Sequence, residues 1–198
     1  MQTETRKRIA GLTSKILNPF FVSLAMLLLL SFTSSSSTLD ALRWAFISMT
    51  LSILPVFLVT VYLVRIGRLD TIFTKLRSPR INIYLPASIC IAVGCLVLAY
   101  LRAPMILVLA FAAGLLTTVM FMGINLWWKI SLHTALVTAS VTMLVMLYGW
   151  MAVATILLVP LTVWARIEME YHSLAQAIIG ALLAALVTVV MFYPFVLT

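Results

Sequence analysis

The sequence predicts an all-α fold, a polytopic bundle of six to seven transmembrane helices, and three observations predict it. Of 198 residues, 64% are hydrophobic and 9% charged, whereas a soluble domain is about half apolar and a quarter charged. A globule of this size has too little interior to hide that much apolar surface. The charges also fall between long uncharged stretches, at 16–39, 44–64, 81–101, 103–128, 130–165 and 171–198. Each stretch is long enough to cross the hydrocarbon of a bilayer, where a buried charge is costly. Disordered chains, disulfide scaffolds and ordinary cytosolic enzymes are excluded by the same composition.

The first stretch is followed by Ser34-Ser35-Ser36-Ser37 rather than a cleavage pattern, so it is expected to be a retained span. The stretch 44–64 is a plain second span. The third contains Cys90 and Cys95, five apart and remote from any His or carboxylate cluster, which predicts buried core thiols. Ala103-Pro104 supplies the turn into the fourth. The fifth has 36 residues. As one rod it would measure about 54 Å against about 30 Å of hydrocarbon, so it must fold back. Gly149-Trp150 is the turn-like point near its middle. In the last stretch, Gly180-x3-Ala184 and Ala177-x3-Ala181 have the spacing of close helix packing. The whole reads as one integral-membrane domain, with a basic tail and two spans over 1–64 and a membrane core over 65–198.

The net charge is +8, from 13 Lys+Arg against 5 Asp+Glu. Because the spans alternate sides, the basic residues can be sorted. Arg6, Lys7, Arg8, Lys15, Arg65, Arg68, Lys75, Arg77, Arg80, Lys129 and Arg166 share one side, and Arg43 and Arg102 the other. Eleven against two predicts that the first side is cytoplasmic.

Both histidines of the chain, His133 and His172, sit beside a cation at a span end. Limb lengths from Gly149 bring Lys129-His133 and Arg166-His172 to the same interface, and limbs through Arg102 bring the 65–80 loop there too. Such a cluster suits a phosphorylated ligand. Lys75, Arg77, Lys129 and Arg166 offer charge and donors to phosphate oxygens. Ile130-Ser131-Leu132-His133 opens a helix whose N–H groups favour an anion, and Lys129 and His133, four apart, are expected to share a helical face. Two histidines can divide the roles of nucleophile and general acid. With few carboxylates nearby, neither metal nor other cofactor is expected. Haem ligation would call for an apolar pocket rather than neighbouring cations.

Arg166-Ile-Glu-Met-Glu-Tyr-His172-Ser-Leu-Ala-Gln176 resembles the third motif of the phosphatidic acid phosphatase type 2 superfamily, Ser-Arg-x5-His-x3-Asp. Ile130-Ser131-Leu132-His133 is similar to its second motif, Pro-Ser-Gly-His, and Lys75-Leu-Arg77-Ser-Pro79 to the end of its first, Lys-x6-Arg-Pro, without that spacing. The resemblance covers about two thirds of the chain, from Asp70 onward. It implies a metal-independent phosphatase working through a phosphohistidine, with His172 the nucleophile and His133 the general acid. Arg166, Lys75, Arg77 and Ser131 would bind phosphoryl oxygens, with Lys129 an addition of this sequence.

Ala165 replaces the motif serine and Gln176 the aspartate that orients the nucleophile. The Gln176 carbonyl, at i+4, can accept the His172 ring N–H but cannot stabilise an imidazolium as a carboxylate does. Glu168, at i−4, would substitute if the helix is continuous there. Read singly, the same residues have simpler roles: Ser131 a helix cap, Glu168 and Glu170 solvated charges, the 65–80 cations a lipid-facing loop. The expected substrate is a prenyl phosphate or diphosphate, with phosphatidic acid or phosphatidylglycerol phosphate next. A catalytically silent relative that binds or moves lipids is the rival. Lipid phosphate and membrane lipids are the expected partners and nucleic acid is not; self-association is left open.

Overall fold

The computed structural model describes residues 2–69 and 81–196. Among them every regular element is helical. The α-helices are α1 (Gln2–Ile16), α2 (Pro19–Ser34), α3 (Thr38–Arg65), α4 (Ile81–Tyr100), α5 (Met105–Asn125), α6 (Leu132–Tyr148), α7 (Leu158–Glu168) and α8 (Leu174–Val196). A nine-residue 3₁₀ segment, Gly149–Leu157, joins α6 to α7.

Five helical stretches are long and apolar enough to cross a membrane, or six if the bent pair Glu4–Ile16 and Pro19–Ser34 is one span. The chain is an integral, multi-pass membrane protein. By length and composition Leu132–Glu168 is a single stretch of 37 residues, but α6 and α7 pack against each other, which one straight rod cannot do. The reversal falls at Gly149, whose φ of 57° lies in the region that glycine adopts without steric cost. That is the expected hairpin.

Packing divides the chain into two units, Met1–Val22 with Lys129–Thr198, and Ser23–Trp128. This is a different division from a break at residue 64, because α1 joins the C-terminal helices rather than α3. In the second unit α4 packs on both α3 and α5. Gly94 makes that closeness possible: a Cβ there would stand 2.5 Å from the Phe111 ring and 3.2 Å from Leu51 Cβ. Cys90 and Cys95 are free and half-buried on α4. This corrects the expectation of buried thiols, since a helix with one lipid-facing side leaves them partly uncovered. Arg102, with φ 55°, ends α4 in a left-handed turn ahead of Pro104.

In the first unit α8 lies on α6 and α7, and α7 also packs on α1. The small-residue positions do what their spacing predicts. Ala177 and Ala184 are fully buried, and a Cβ on Gly180 would meet the Ser131 carbonyl oxygen at 3.0 Å.

Candidate functional site

Three helix ends meet at one end of the first unit: the starts of α6 and α8 and the finish of α7. Ser131 caps α6, its hydroxyl accepting the Thr134 N–H at 3.4 Å. The start of α6 is tied to α8 by Ser131 N–H donating to Gln176 O at 3.4 Å and by the Thr134 hydroxyl donating to Ala177 O at 3.1 Å. His133, in the first turn of α6, and Ser131 are buried there. Lys129 precedes the helix, so it and His133 do not share a helical face as expected; Ser131 fixes the start after it.

The end of α7 is a tight reversal. Glu170 N–H donates to Ile167 O at 2.8 Å and Tyr171 N–H to Arg166 O at 3.1 Å, the paired bonds of a Schellman cap. The left-handed position is Glu170, φ 58°, where glycine or asparagine is usual. The chain then enters α8 through a capping box: Gln176 N–H donates to Ser173 Oγ at 3.3 Å and Ser173 N–H donates to Gln176 Oε1 at 3.2 Å. His172 lies between these two devices, buried.

This brackets the chemistry of His172. Its Nδ1 lies 3.2 Å from Gln176 Oε1. The Ser173 backbone N–H can only donate, so the amide atom it meets must be the oxygen. An oxygen facing Nδ1 requires the proton on Nδ1, and in the neutral ring that leaves Nε2 as the acceptor position. The carbonyl oxygen of Gln176 thus faces the His172 ring from the i+4 position.

Arg166 is 3% exposed. Its Nη1 donates to Ser14 Oγ at 2.7 Å, and its guanidinium carbon lies 4.1 Å from the centre of the Tyr171 ring, within cation–π range. Lys129 Nζ donates to Tyr171 O at 2.6 Å. Both cations therefore hold the turn that carries His172.

Glu168 does not orient His172. Helix α7 stops at Glu168, so the continuity that role required is missing, and its carboxylate accepts from Arg6 Nη2 at 3.0 Å. Glu170 likewise accepts from Lys7 Nζ at 3.1 Å. Lys75 and Arg77 lie outside the described residues. The sequence reading missed Ser14, Arg6, Lys7 and Tyr171 as partners of this turn. It also missed the Ser173-x-x-Gln176 capping box, which was legible as a pattern.

Fold and site together define an all-helical, integral multi-pass membrane protein with two buried histidines at adjoining helix starts. Compared with known protein families, curated proteins and solved structures, the chain matches none.

Proposed function

We propose that this chain is a metal-independent lipid phosphatase that works through a phosphohistidine at the cytoplasmic face of its membrane, the plasma membrane in a prokaryote. The observation that carries the reading is the contact of His172 Nδ1 with Gln176 Oε1, because a neutral ring held that way presents Nε2 as its nucleophilic atom, in a turn that Arg166 and Lys129 also hold. In this scheme Nε2 attacks phosphorus, the bond to the leaving oxygen breaks, and His133 supplies that oxygen with a proton. Water then attacks the phosphohistidine, giving up its proton to His133 and releasing phosphate. Arg166 and Lys129 supply positive charge and Ser131 a hydroxyl for the phosphoryl oxygens, a role that the resemblance also gives Lys75 and Arg77, which lie outside the described residues. Resemblance to compact, short-loop lipid phosphatases favours a prenyl phosphate or diphosphate over phosphatidic acid or phosphatidylglycerol phosphate.

A second reading, a silent relative that binds or moves lipids, is favoured by one specific observation. Arg166 and Lys129 already bond Ser14 and the Tyr171 carbonyl. Phosphate release from farnesyl, geranylgeranyl and diacylglycerol phosphates, with chelator present, separates the two. The enzyme reading expects release by the purified protein, abolished in His172→Ala and slowed in His133→Ala. No release at all selects the silent binder, and wild-type turnover in both variants overturns the phosphohistidine mechanism.

A further inference from the structure

The N-terminal helix has two faces with different employment. Its inner face is fastened to the end of α7: Ala10 is fully buried, Ser14 holds Arg166, Arg6 and Lys7 hold Glu168 and Glu170, and Gly11 faces the Met169 thioether. At 3.6 residues per turn, Ile9, Leu12 and Ile16 fall within about 60° of one another on the opposite side. They are 50%, 56% and 68% exposed. Arg8 and Lys15, both exposed, border that stripe about 40–60° from Leu12.

Three large aliphatic side chains held outward, edged by two cations, make a poor water-facing surface and a good interfacial one. Apolar residues sink to the acyl boundary while Arg and Lys reach the headgroups. The bilayer is adjacent, because three residues after Ile16 the chain enters the apolar α2. Asn18 makes that transition, its side chain accepting from Phe21 N–H at 3.1 Å and donating to Lys15 O. With Arg6 and Lys7 paired to Glu168 and Glu170, Arg8 and Lys15 beside the stripe select an anionic headgroup.

We propose that α1, bent by 41° from α2, is an interfacial anchor whose Ile9–Leu12–Ile16 face, with Arg8 and Lys15, binds an anionic lipid surface while its other face holds the turn before His172. This anchoring is independent of the reaction at the histidines. The full chain, with Cys90→Ala and Cys95→Ala, carries a spin label at Leu12→Cys or Ile16→Cys in nanodiscs of phosphatidylcholine alone or with roughly one quarter phosphatidylglycerol. Collisional relaxation by oxygen reports immersion in lipid, and by a soluble nickel chelate exposure to water. The expected result is immersion at both sites in the anionic discs. The ratio of immersed to lifted helix should drop about five-fold for each of Arg8→Gln and Lys15→Gln. If the double variant fails to fold, raising ionic strength on the unaltered charges should produce the same lifting. Labels open to the nickel chelate in both disc types would overturn the anchor. So would immersion that is equal in pure phosphatidylcholine and insensitive to charge and salt.

Discussion

Replacing Gln176 by Glu tests the bracket around His172 directly. Glutamate has the length of glutamine, so one oxygen can keep both the Ser173 N–H and the His172 Nδ1–H, each now 3.2 Å away. Aspartate, the residue of the resembling motif, is one methylene shorter and has to give up one of these bonds. The added negative charge sits in the first turn of α8, where the helix dipole favours it by about 0.3–1 kcal/mol, so α8 should not lose stability. Its larger effect is on the ring. At about 4 Å, opposite unit charges attract by about 1 kcal/mol in water and about 4 kcal/mol near a protein surface. The lower figure already raises the proportion of imidazolium to imidazole at fixed pH about five-fold. The sign is upward because the carboxylate favours the charged ring. The chain has two histidines, so histidine-selective ¹⁵N spectra contain two rings, and His133→Ala assigns them. The expected outcome is an Nδ1–H tautomer for neutral His172 in the wild type and a titration displaced to higher pH in Gln176→Glu. An Nε2–H tautomer, or two titrations that Gln176→Glu leaves in place, refutes the bracket.

Gly180→Ala should lower the melting temperature in detergent. The new Cβ meets backbone at Ser131, and an overpacking cost of roughly 1–3 kcal/mol exceeds the ~1 kcal/mol of regained helix propensity; an unchanged or higher Tm counts against the close approach. Ser14→Ala should cost about 1–3 kcal/mol by removing a partner of a buried guanidinium, while Lys7→Gln, at the exposed Lys7–Glu170 pair, should stay within about 1 kcal/mol. Equal losses from the two would show that burial does not distinguish them. Cysteines placed at Ser78 and Ser35 should react with impermeant reagents from opposite sides, Ser78 only after the cytoplasm is opened, and the reverse pattern discards the proposed orientation.

What the sequence made legible is what depends on near neighbours or on span length. Gly149 was visible because a 36-residue uncharged stretch cannot cross once, and Gln176 because four residues along a helix returns to the same face. The contacts of α1 had no such signal. Ser14 and Arg166 are 152 residues apart in sequence, and a basic tail reads as a topology marker whether or not it is docked. The end of α7 was hidden for another reason. A left-handed cap is normally announced by glycine, and here Glu170 occupies it, so nothing in the sequence marks a break between Glu168 and His172. The division of the chain was hidden for the same reason as α1.

The 3₁₀ segment from Gly149 to Leu157 bears on how the protein meets membranes of different thickness. A 3₁₀ turn rises about 2.0 Å per residue against about 1.5 Å for an α-helix, and runs beyond three or four residues are uncommon because the hydrogen bonds are poorer. Winding these nine residues into α-helix would shorten the return limb by about 4–5 Å. Differences of a few ångströms separate natural bilayers, and hydrophobic mismatch costs only fractions of a kcal/mol per ångström. Helix type beyond Gly149 thus sets the reach of the return limb, about 4–5 Å more than nine α-helical residues would give, without touching the caps at its histidine end.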